Sequence, residues 1–325
     1  MSHATLDRVL AVLVVALAGT GLLSLKAGGP DAAWLFAAHG VLGGSLLAAT
    51  AWKLRRSVPR AVETRRWGRL AFASLVSLAV VGALTGGFVW VASGRLLSIG
   101  SLTVLTLHAW LGLALVPIVL VHLLPRRWKV LSNPQRGGIS RRTLLSTGGL
   151  ALAGVAVFGL TALADRWRGG MRRFTGSRWL PSGGIPPPTT FYGAGTPPIE
   201  PGAWRLTVVG HDGPSRSIGI EDLRALGEVD LTAVLDCTSG WALDTTWRGV
   251  PLGEVLPIPD RGSIRVRSVT GWSTILTPAE ARTAVLATRV AGRPLPIENG
   301  APCRLVVPGR RGLDWVKWVD EVAVA

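Results

Sequence analysis

LDCTSGWALDTTWRGVPL, residues 235–252, holds one of only two cysteines in a chain of 325 residues. Cys237 follows the apolar, β-prone run LTAVL (231–235) and precedes the turn signal Trp247-Arg248-Gly249-Val250-Pro251, which puts the thiol in a loop at a strand end. A lone cysteine there is open to four roles: nucleophile, half of a disulfide, buried core thiol or metal ligand. The rest of the chain has to choose among them.

Upstream, the sequence is of a different kind. Hydrophobic residues make up 48% of the chain although its formal net charge is +16, a combination foreign to soluble basic proteins. Residues 1–165 carry 16 Lys/Arg against Asp7, Asp31, Glu63 and Asp165, whereas 166–325 carry 19 against 15 acids, so the excess is concentrated in the N-terminal half. There it lies between apolar runs near 8–25, 32–52, 68–92, 101–124 and 143–164, each close to the roughly 20 residues that cross a bilayer. Segment 53–69 holds seven Lys/Arg and one Glu, and segment 126–142 holds six and no acid, while 26–31 and 93–100 hold only Lys26, Asp31 and Arg95. By the positive-inside rule the N-terminus is cytoplasmic and everything after the fifth run lies outside. The expectation is a multi-pass protein of the cell membrane with an extracytoplasmic C-terminal domain. Placed between apolar runs, the charge reads as membrane topology and not as a nucleic-acid surface, and no nucleic-acid partner is expected.

Ionisable residues inside a span are functional candidates. His39 and His108 each lie seven residues into their runs, at a shared depth, in the similar settings HGVLG (39–43) and HAWLG (108–112). The glycine four residues on lies on the same helical face, where a flat macrocycle can approach the backbone. The pair is expected to hold one b-type haem; the competing reading is hydrogen bonding between helices. His122 follows His108 by fourteen residues, about four turns on the same face, and is a further candidate, but the matching position after His39 is Lys53, so a second haem lacks a partner ligand.

Ser140-Arg141-Arg142-Thr143-Leu144-Leu145-Ser146 and the Gly/Ala-rich run after it resemble a twin-arginine export signal, with the fifth run kept as an anchor. The Arg-, Gly- and Pro-rich stretch 166–190 reads as a linker. The chain thus divides into a five-helix all-α transmembrane bundle (1–165), a linker (166–190) and an α+β domain (191–325). In the last, the strand-like runs WRLTVVG, LTAVLDC, SIRVRSV, CRLVVPG and WVDEVAV dominate over the helical patterns IEDLRAL and TPAEARTAVLA. It holds no CxxC, HExxH, GxSxG or phosphate loop, and its one histidine, His211, falls in a Gly-His-Asp-Gly turn. What remains is a thiol among many arginines and tight Gly/Pro turns, suited to holding an anionic cofactor.

DCTSGWALDTTWRGVPLGEVL, then GWSTILTPAEA, RPLPIENGAPCRLVVPGRRG and DWVKWV, in that order, resemble the molybdopterin-binding domain of the sulfite oxidase family over residues 191–325. The resemblance implies that Cys237 is the thiolate ligand of molybdenum, that Arg304 and Lys317 hold the phosphate of the molybdopterin, and that Asn299, Thr270, Tyr192 and Gly193 are further cofactor contacts. Thr189 and Thr190 stand where the family has asparagines, a departure in that part of the site. A soft thiolate suits a high-valent metal, and a guanidinium and an ammonium suit a phosphate. Cys303 is expected to be a core residue, and Trp241, Trp247, Trp315 and Trp318 to wall the pocket or pack the core.

Residues 238–242, after the ligand cysteine, lack the arginines with which sulfite oxidases hold an oxyanion. Together with Trp241 and the Asn-Gly-Ala-Pro segment this is similar to the methionine-sulfoxide-reductase branch. The implied activity is oxygen-atom transfer, as reduction of an S-oxide or N-oxide, with electrons from a quinol or another membrane donor passing through the haem. The alternatives are oxidation of a small oxyanion such as sulfite in the opposite direction, and a haem-only electron carrier with a degenerate outer domain. Nothing in the sequence selects an oligomeric state.

Overall fold

The protein, as a computed structural model, is described for residues 1–65, 67–123, 140–189, 195–210 and 214–325, excluding the side chains of His3, Arg69 and residues 120–123. It forms two compact units, one of Met1–Leu25 and Pro30–Arg178, the other of Lys26–Gly29 and Trp179–Ala325.

The first unit is helical: α1 (His3–Ser24), α2 (Ala33–Glu63), α3 (Trp67–Ala92), α4 (Val104–Leu123) and α5 (Arg141–Trp167), with a small hairpin of β1 (Ser98–Ile99) and β2 (Leu102–Thr103) before α4. Four of the helices are long and apolar enough to cross a membrane, whereas in α4 the apolar section within the described residues is the shorter Val104–Val119. The five expected runs thus correspond, among the described residues, to five helices, of which four are candidate spans. A second difference lies in α2, which at 31 residues spans roughly 46 Å and so outruns the hydrocarbon layer. Lys53, Arg55, Arg56 and Arg60 extend this helix instead of forming a loop, because Lys and Arg are good helix formers. Lys53 also pairs with Asp7 of α1 at 2.7 Å.

α2 and α5 meet through glycine. A Cβ on Gly154 would fall 2.3 Å from the Val41 carbonyl oxygen and the Ser45 Oγ, and one on Gly44 would fall 2.8 Å from the Gly154 carbonyl oxygen. Backbones this close are the small-residue mode of helix packing inside membranes. The Gly/Ala-rich run after Arg141-Arg142 therefore has a packing use of its own.

The stretch expected as a linker divides between the units. Residues 168–178 fold back on the helical unit: Arg172 bridges Arg178, Trp90 Nε1 donates to the Gly176 carbonyl at 2.9 Å, and Phe174 stacks edge-on against Phe36. Beneath them Asp165 accepts from Arg178 Nη1 at 2.6 Å and Arg172 Nε at 2.8 Å. Arg178 Nη2 donates on to the Trp90 and Val91 carbonyls, which are orphan acceptors at the C-terminal end of α3. Residues 179–189 lie on the other unit, with Leu180 N donating to the Ala242 carbonyl, Gly183 N to that of Asp244 and Thr245 Oγ1 to that of Gly184.

The second unit is α+β, as expected. A six-stranded sheet runs β11 (Arg293–Pro294), β10 (Val285–Val290), β7 (Trp241–Pro251), β3 (Arg178–Trp179), with β12 (Arg304–Val306) on β10 and β6 (Val229–Asp236) on β7. A five-stranded sheet runs β5 (Arg216–Ile218), β4 (Leu206–Val209), β13 (Val319–Val324), β8 (Ile264–Ser268), β9 (Ser273–Leu276). Only short helices intervene: α6 (Ile220–Ala225), α7 (Leu252–Val255) and α8 (Pro278–Thr283). The helical pattern read through 287 stops at Thr283, where the β-branched and apolar AVLATRV enters β10. The core is a single cluster including Leu243, Trp247, Val250, Leu286, Leu305, Trp315 and Val322. At roughly 1.5–3 kcal/mol for each such side chain withdrawn from water, this cluster is what holds the sheets together.

Candidate functional site

β6 and β7 pair antiparallel from Val229↔Gly249 to Asp236↔Ala242, and the four residues left between them, Cys237 to Gly240, make the turn. Cys237 N donates to the Trp241 carbonyl at 2.8 Å and Gly240 N to the Cys237 carbonyl at 3.0 Å, closing a turn that needs Gly240 at φ +105°. The longest ladder of the domain therefore ends at the half-buried thiol and fixes its backbone. Cys237 Sγ lies 3.0 Å from Ser239 Oγ and 3.7 Å from Thr189 Oγ1. Cys303 is fully buried and free, and burial pushes its thiol well above the usual range. Of the two cysteines only Cys237 is placed for chemistry, and neither is in a disulfide.

Around it the structure gathers positive charge. Arg304 is buried over the faces of Trp247 and Trp315, with 5.3 and 6.0 Å from the guanidinium carbon to the ring centres, and donates from Nη1 to the Asn299 carbonyl at 2.9 Å. Its buried Nε has no hydrogen-bond partner among the described residues. Burial lowers this guanidinium to about 10, opposed by the Cys237 sulfur nearby. Lys317 Nζ donates to the carbonyls of Thr189 at 2.6 Å and Glu298 at 2.5 Å. Burial, then the charge of Arg304, pull it down to about 7, against the opposing pull of Cys237 and Glu298. Two cations thus sit within electrostatic reach of one thiol and of each other, with carbonyls as their hydrogen-bond acceptors. Such an arrangement is short of an anion.

Asn299 is buried and donates from Nδ2 to the Pro186 carbonyl at 3.0 Å, so it joins Lys317 in tying segment 186–189 across the site. The following Gly300 has φ +115°, and a Cβ there would press on Lys317 at 3.0 Å. Thr270 is exposed on the turn between β8 and β9, its Oγ1 3.0 Å from Ser268 Oγ. No contact joins Thr270 to Cys237, whereas Asn299, Arg304 and Lys317 form one cluster with it. Tyr192, Gly193, Thr190 and His211 lie outside the described residues. Trp241, Trp247, Trp315 and Trp318 are all buried, so core packing is their first use.

Three residues escaped sequence reasoning. Arg311, buried, donates from Nη2 to the Cys237 carbonyl at 3.1 Å and reaches the Asp236 carboxylate at 3.3 Å. It brings a guanidinium to the cysteine's backbone from a loop far along the chain, but one buried against the Asp236 carboxylate; its only sequence signal was the run Gly309-Arg310-Arg311-Gly312. The Ser239 hydroxyl and the Glu298 carbonyl carried no signal at all.

Lys317 gives a test of this electrostatic balance. The folded domain releases the Lys317 proton near pH 7 and the unfolded chain near 10.5. Between those values the unfolded state binds the extra proton, so stability of the cofactor-free protein is expected to rise with pH across that window, the full penalty being present below pH 7. Chemical denaturation across the window measures it, and Lys317→Met is expected to flatten the slope.

In the helical unit His39 and His108 face each other, ring centres 6.0 Å apart and planes at 88°. Nδ1 of His39 is 2.8 Å from Thr20 Oγ1 and Nδ1 of His108 is 2.7 Å from the Ala83 carbonyl oxygen. Gly43 packs near Leu84 and Phe88, while Gly112 has open space beside it. His122 lies on α4 with its side chain outside the description. Among the described residues no three His, Cys, Asp or Glu side chains converge as a metal cluster.

Residues 193–325 match the family described as oxidoreductase molybdopterin binding domain. The C-terminal unit is a molybdopterin-binding oxidoreductase domain of the sulfite oxidase family. The chain is 29% identical over 164 residues to the protein-methionine-sulfoxide reductase catalytic subunit MsrP of Xanthomonas campestris, covering 41% of this chain and 51% of that protein. It is 28% identical over 167 residues to the mitochondrial sulfite oxidase of Rattus norvegicus, covering 39% of this chain and 30% of that one. It spans about half or less of the length of these relatives. Among solved structures, the sulfane dehydrogenase SoxCD of Paracoccus pantotrophus matches 40% of each chain at 24% identity and a TM-score of 0.38. The buried, unpartnered Nε of Arg304, the carbonyl-held Lys317 and the half-buried thiol fit what a molybdopterin domain has to hold: a phosphate and a soft-ligated metal.

Proposed function

We propose that the chain is a membrane-anchored molybdopterin-dependent oxidoreductase. Cys237 would ligate molybdenum, and Arg304 and Lys317 would take the phosphate of the molybdopterin. Asn299, Thr270, Tyr192 and Gly193 would complete the binding surface. The observation that carries the reading is the pair of cations, buried Arg304 with its unpartnered Nε and half-buried Lys317 held only by carbonyls, beside one half-buried thiol. The metal supplies two-electron oxygen-atom transfer when bound. This chain's residues neutralise the cofactor's phosphate, fix the ligand sulfur on a rigid turn and shape the approach to it. Residues 238–242 present no cation to a small oxyanion, which favours a neutral S-oxide or N-oxide, with methionine sulfoxide as the model, over sulfite. Anaerobic turnover with a reduced dye tests this: oxidation of sulfite without reduction of any S-oxide or N-oxide would reverse the assigned direction.

The helical unit is assigned five spans with a cytoplasmic N-terminus, an extracytoplasmic molybdopterin domain after 166–190, and export directed by 140–146. His39 and His108 would hold a b-type haem, supplying one-electron chemistry between a quinol in the membrane and the outer domain. What supports this is that the two rings, on different helices, lie with their centres 6.0 Å apart, so that both would be at hand to hold one group. Each Nδ1 is already engaged, which leaves Nε2 for iron and fixes the ring orientation. Reduced-minus-oxidised spectra of membranes from His39→Ala and His108→Ala are each expected to lose the Soret band. Unchanged haem content in both would remove the assignment, and a haem signal without molybdenum in the wild type would leave a haem-only electron carrier.

A further inference from the structure

Two hydroxyls converge on the sulfur of Cys237 from different parts of the chain, Ser239 Oγ at 3.0 Å within the turn and Thr189 Oγ1 at 3.7 Å from segment 186–189. Neither is there by accident of a flexible surface. Ser239 and Thr189 are both half-buried. The turn is closed by its own backbone bonds, and Thr189 is held through its carbonyl by Lys317 Nζ. As a thiol, Cys237 could donate to either oxygen; as a metal ligand it has lost its proton and only accepts. With the sulfur deprotonated, both hydroxyls must donate to it.

We infer that Ser239 and Thr189 are positioning residues that tune the ligand sulfur of Cys237 by hydrogen bonding, Ser239 strongly and Thr189 weakly. This rests on the reading of Cys237 as the molybdenum ligand. A hydrogen bond onto a thiolate withdraws electron density from it, making it a poorer donor to the metal and the metal easier to reduce. The direction suits an enzyme that must accept electrons before it takes oxygen from a substrate. Thr238, between Cys237 and Ser239, makes no bond to the sulfur and serves as the control.

The experiment uses the full-length, molybdenum-loaded protein in detergent, with metal content, the sulfur-to-molybdenum charge-transfer band and the molybdenum reduction potential read on each variant. Ser239→Ala is expected to move the band to longer wavelength and the potential downward. Thr189→Ala should do the same to a smaller extent, Ser239→Thr should restore both quantities, and Thr238→Ala should leave them in place. Full molybdenum content with band and potential unmoved in Ser239→Ala overturns the inference. Absence of molybdenum from the wild type overturns instead the parent reading. Should Ser239→Ala lose its metal, the wild type still decides: exchange into deuterated water shifts the metal–sulfur stretching frequency if a hydroxyl hydrogen-bonds the sulfur, and an unshifted frequency refutes it.

Discussion

Cys237→Ala is expected to leave a folded, membrane-inserted protein that retains essentially no molybdenum and has lost turnover of S-oxides by far more than the 10–100-fold typical of removing a partner outside the ligand shell. The fold should survive because the turn does not depend on the thiol. Its closure comes from Cys237 N to Trp241 O, Gly240 N to Cys237 O and the positive φ of Gly240, all backbone features. Removing one half-buried sulfur should therefore cost no more than about 1 kcal/mol of stability. Cys303→Ala is the mirror experiment. That side chain is fully buried, so its truncation is expected to lower the unfolding temperature while molybdenum stays bound. Metal analysis of the two purified variants separates the roles, and undiminished molybdenum in Cys237→Ala would remove the assignment of the ligand.

Asp165→Asn is expected to destabilise the helical unit by about 3–5 kcal/mol, the cost of breaking a buried ion pair from one side. The Asp165 and Arg178 side chains are each only 3% exposed, and Arg172 adds a second guanidinium to the same carboxylate. Asparagine keeps the shape and one oxygen acceptor but removes the charge, so two arginines would face each other with nothing to balance them. Arg178 cannot withdraw into solvent, because its other nitrogen serves the Trp90 and Val91 carbonyls and the Ser93 hydroxyl at the end of α3. Thermal unfolding in detergent, followed by the fluorescence of buried Trp90, measures the loss. The double variant Asp165→Leu/Arg178→Met should recover part of it, since an apolar pair of similar volume carries no desolvation penalty. A shift below about 1 kcal/mol in Asp165→Asn would show that water reaches the cluster.

How far the sequence could be read followed the range of the interactions concerned. The apolar runs, the basic segments and the thiol at the end of LTAVL are local patterns, and the helices, β6 and the position of Cys237 follow from them. Arg304 and Lys317 were legible only through a resemblance, because no spacing rule links residues 237, 304 and 317. What stayed hidden was non-local. Arg311 reaches Asp236 from 75 positions away. Arg178 caps α3 across 88 residues, so the first part, through Arg178, of a stretch that composition marks as a tether is built into the helical unit. Gly249 looked like a turn residue and proved to be the point where β7 passes so close to β10 that a Cβ would fall 2.1 Å from the Leu286 carbonyl oxygen. The extension of α2 past Trp52 was missed because positive charge was read as the end of a span, whereas helix propensity does not stop at the membrane surface.

Arg304, wedged between two tryptophans with one nitrogen unanswered, has a consequence for the life of the protein before it works. A buried guanidinium with a nitrogen unpartnered among the described residues costs the whole domain stability, and a ligand that binds only the folded form returns that cost by mass action. On the proposed reading, chains without cofactor are expected to open more often than loaded ones and to be cut first in limited proteolysis. Occupancy of the site would then act as a mark that proteases read, and the population that accumulates would be the one already equipped for its chemistry.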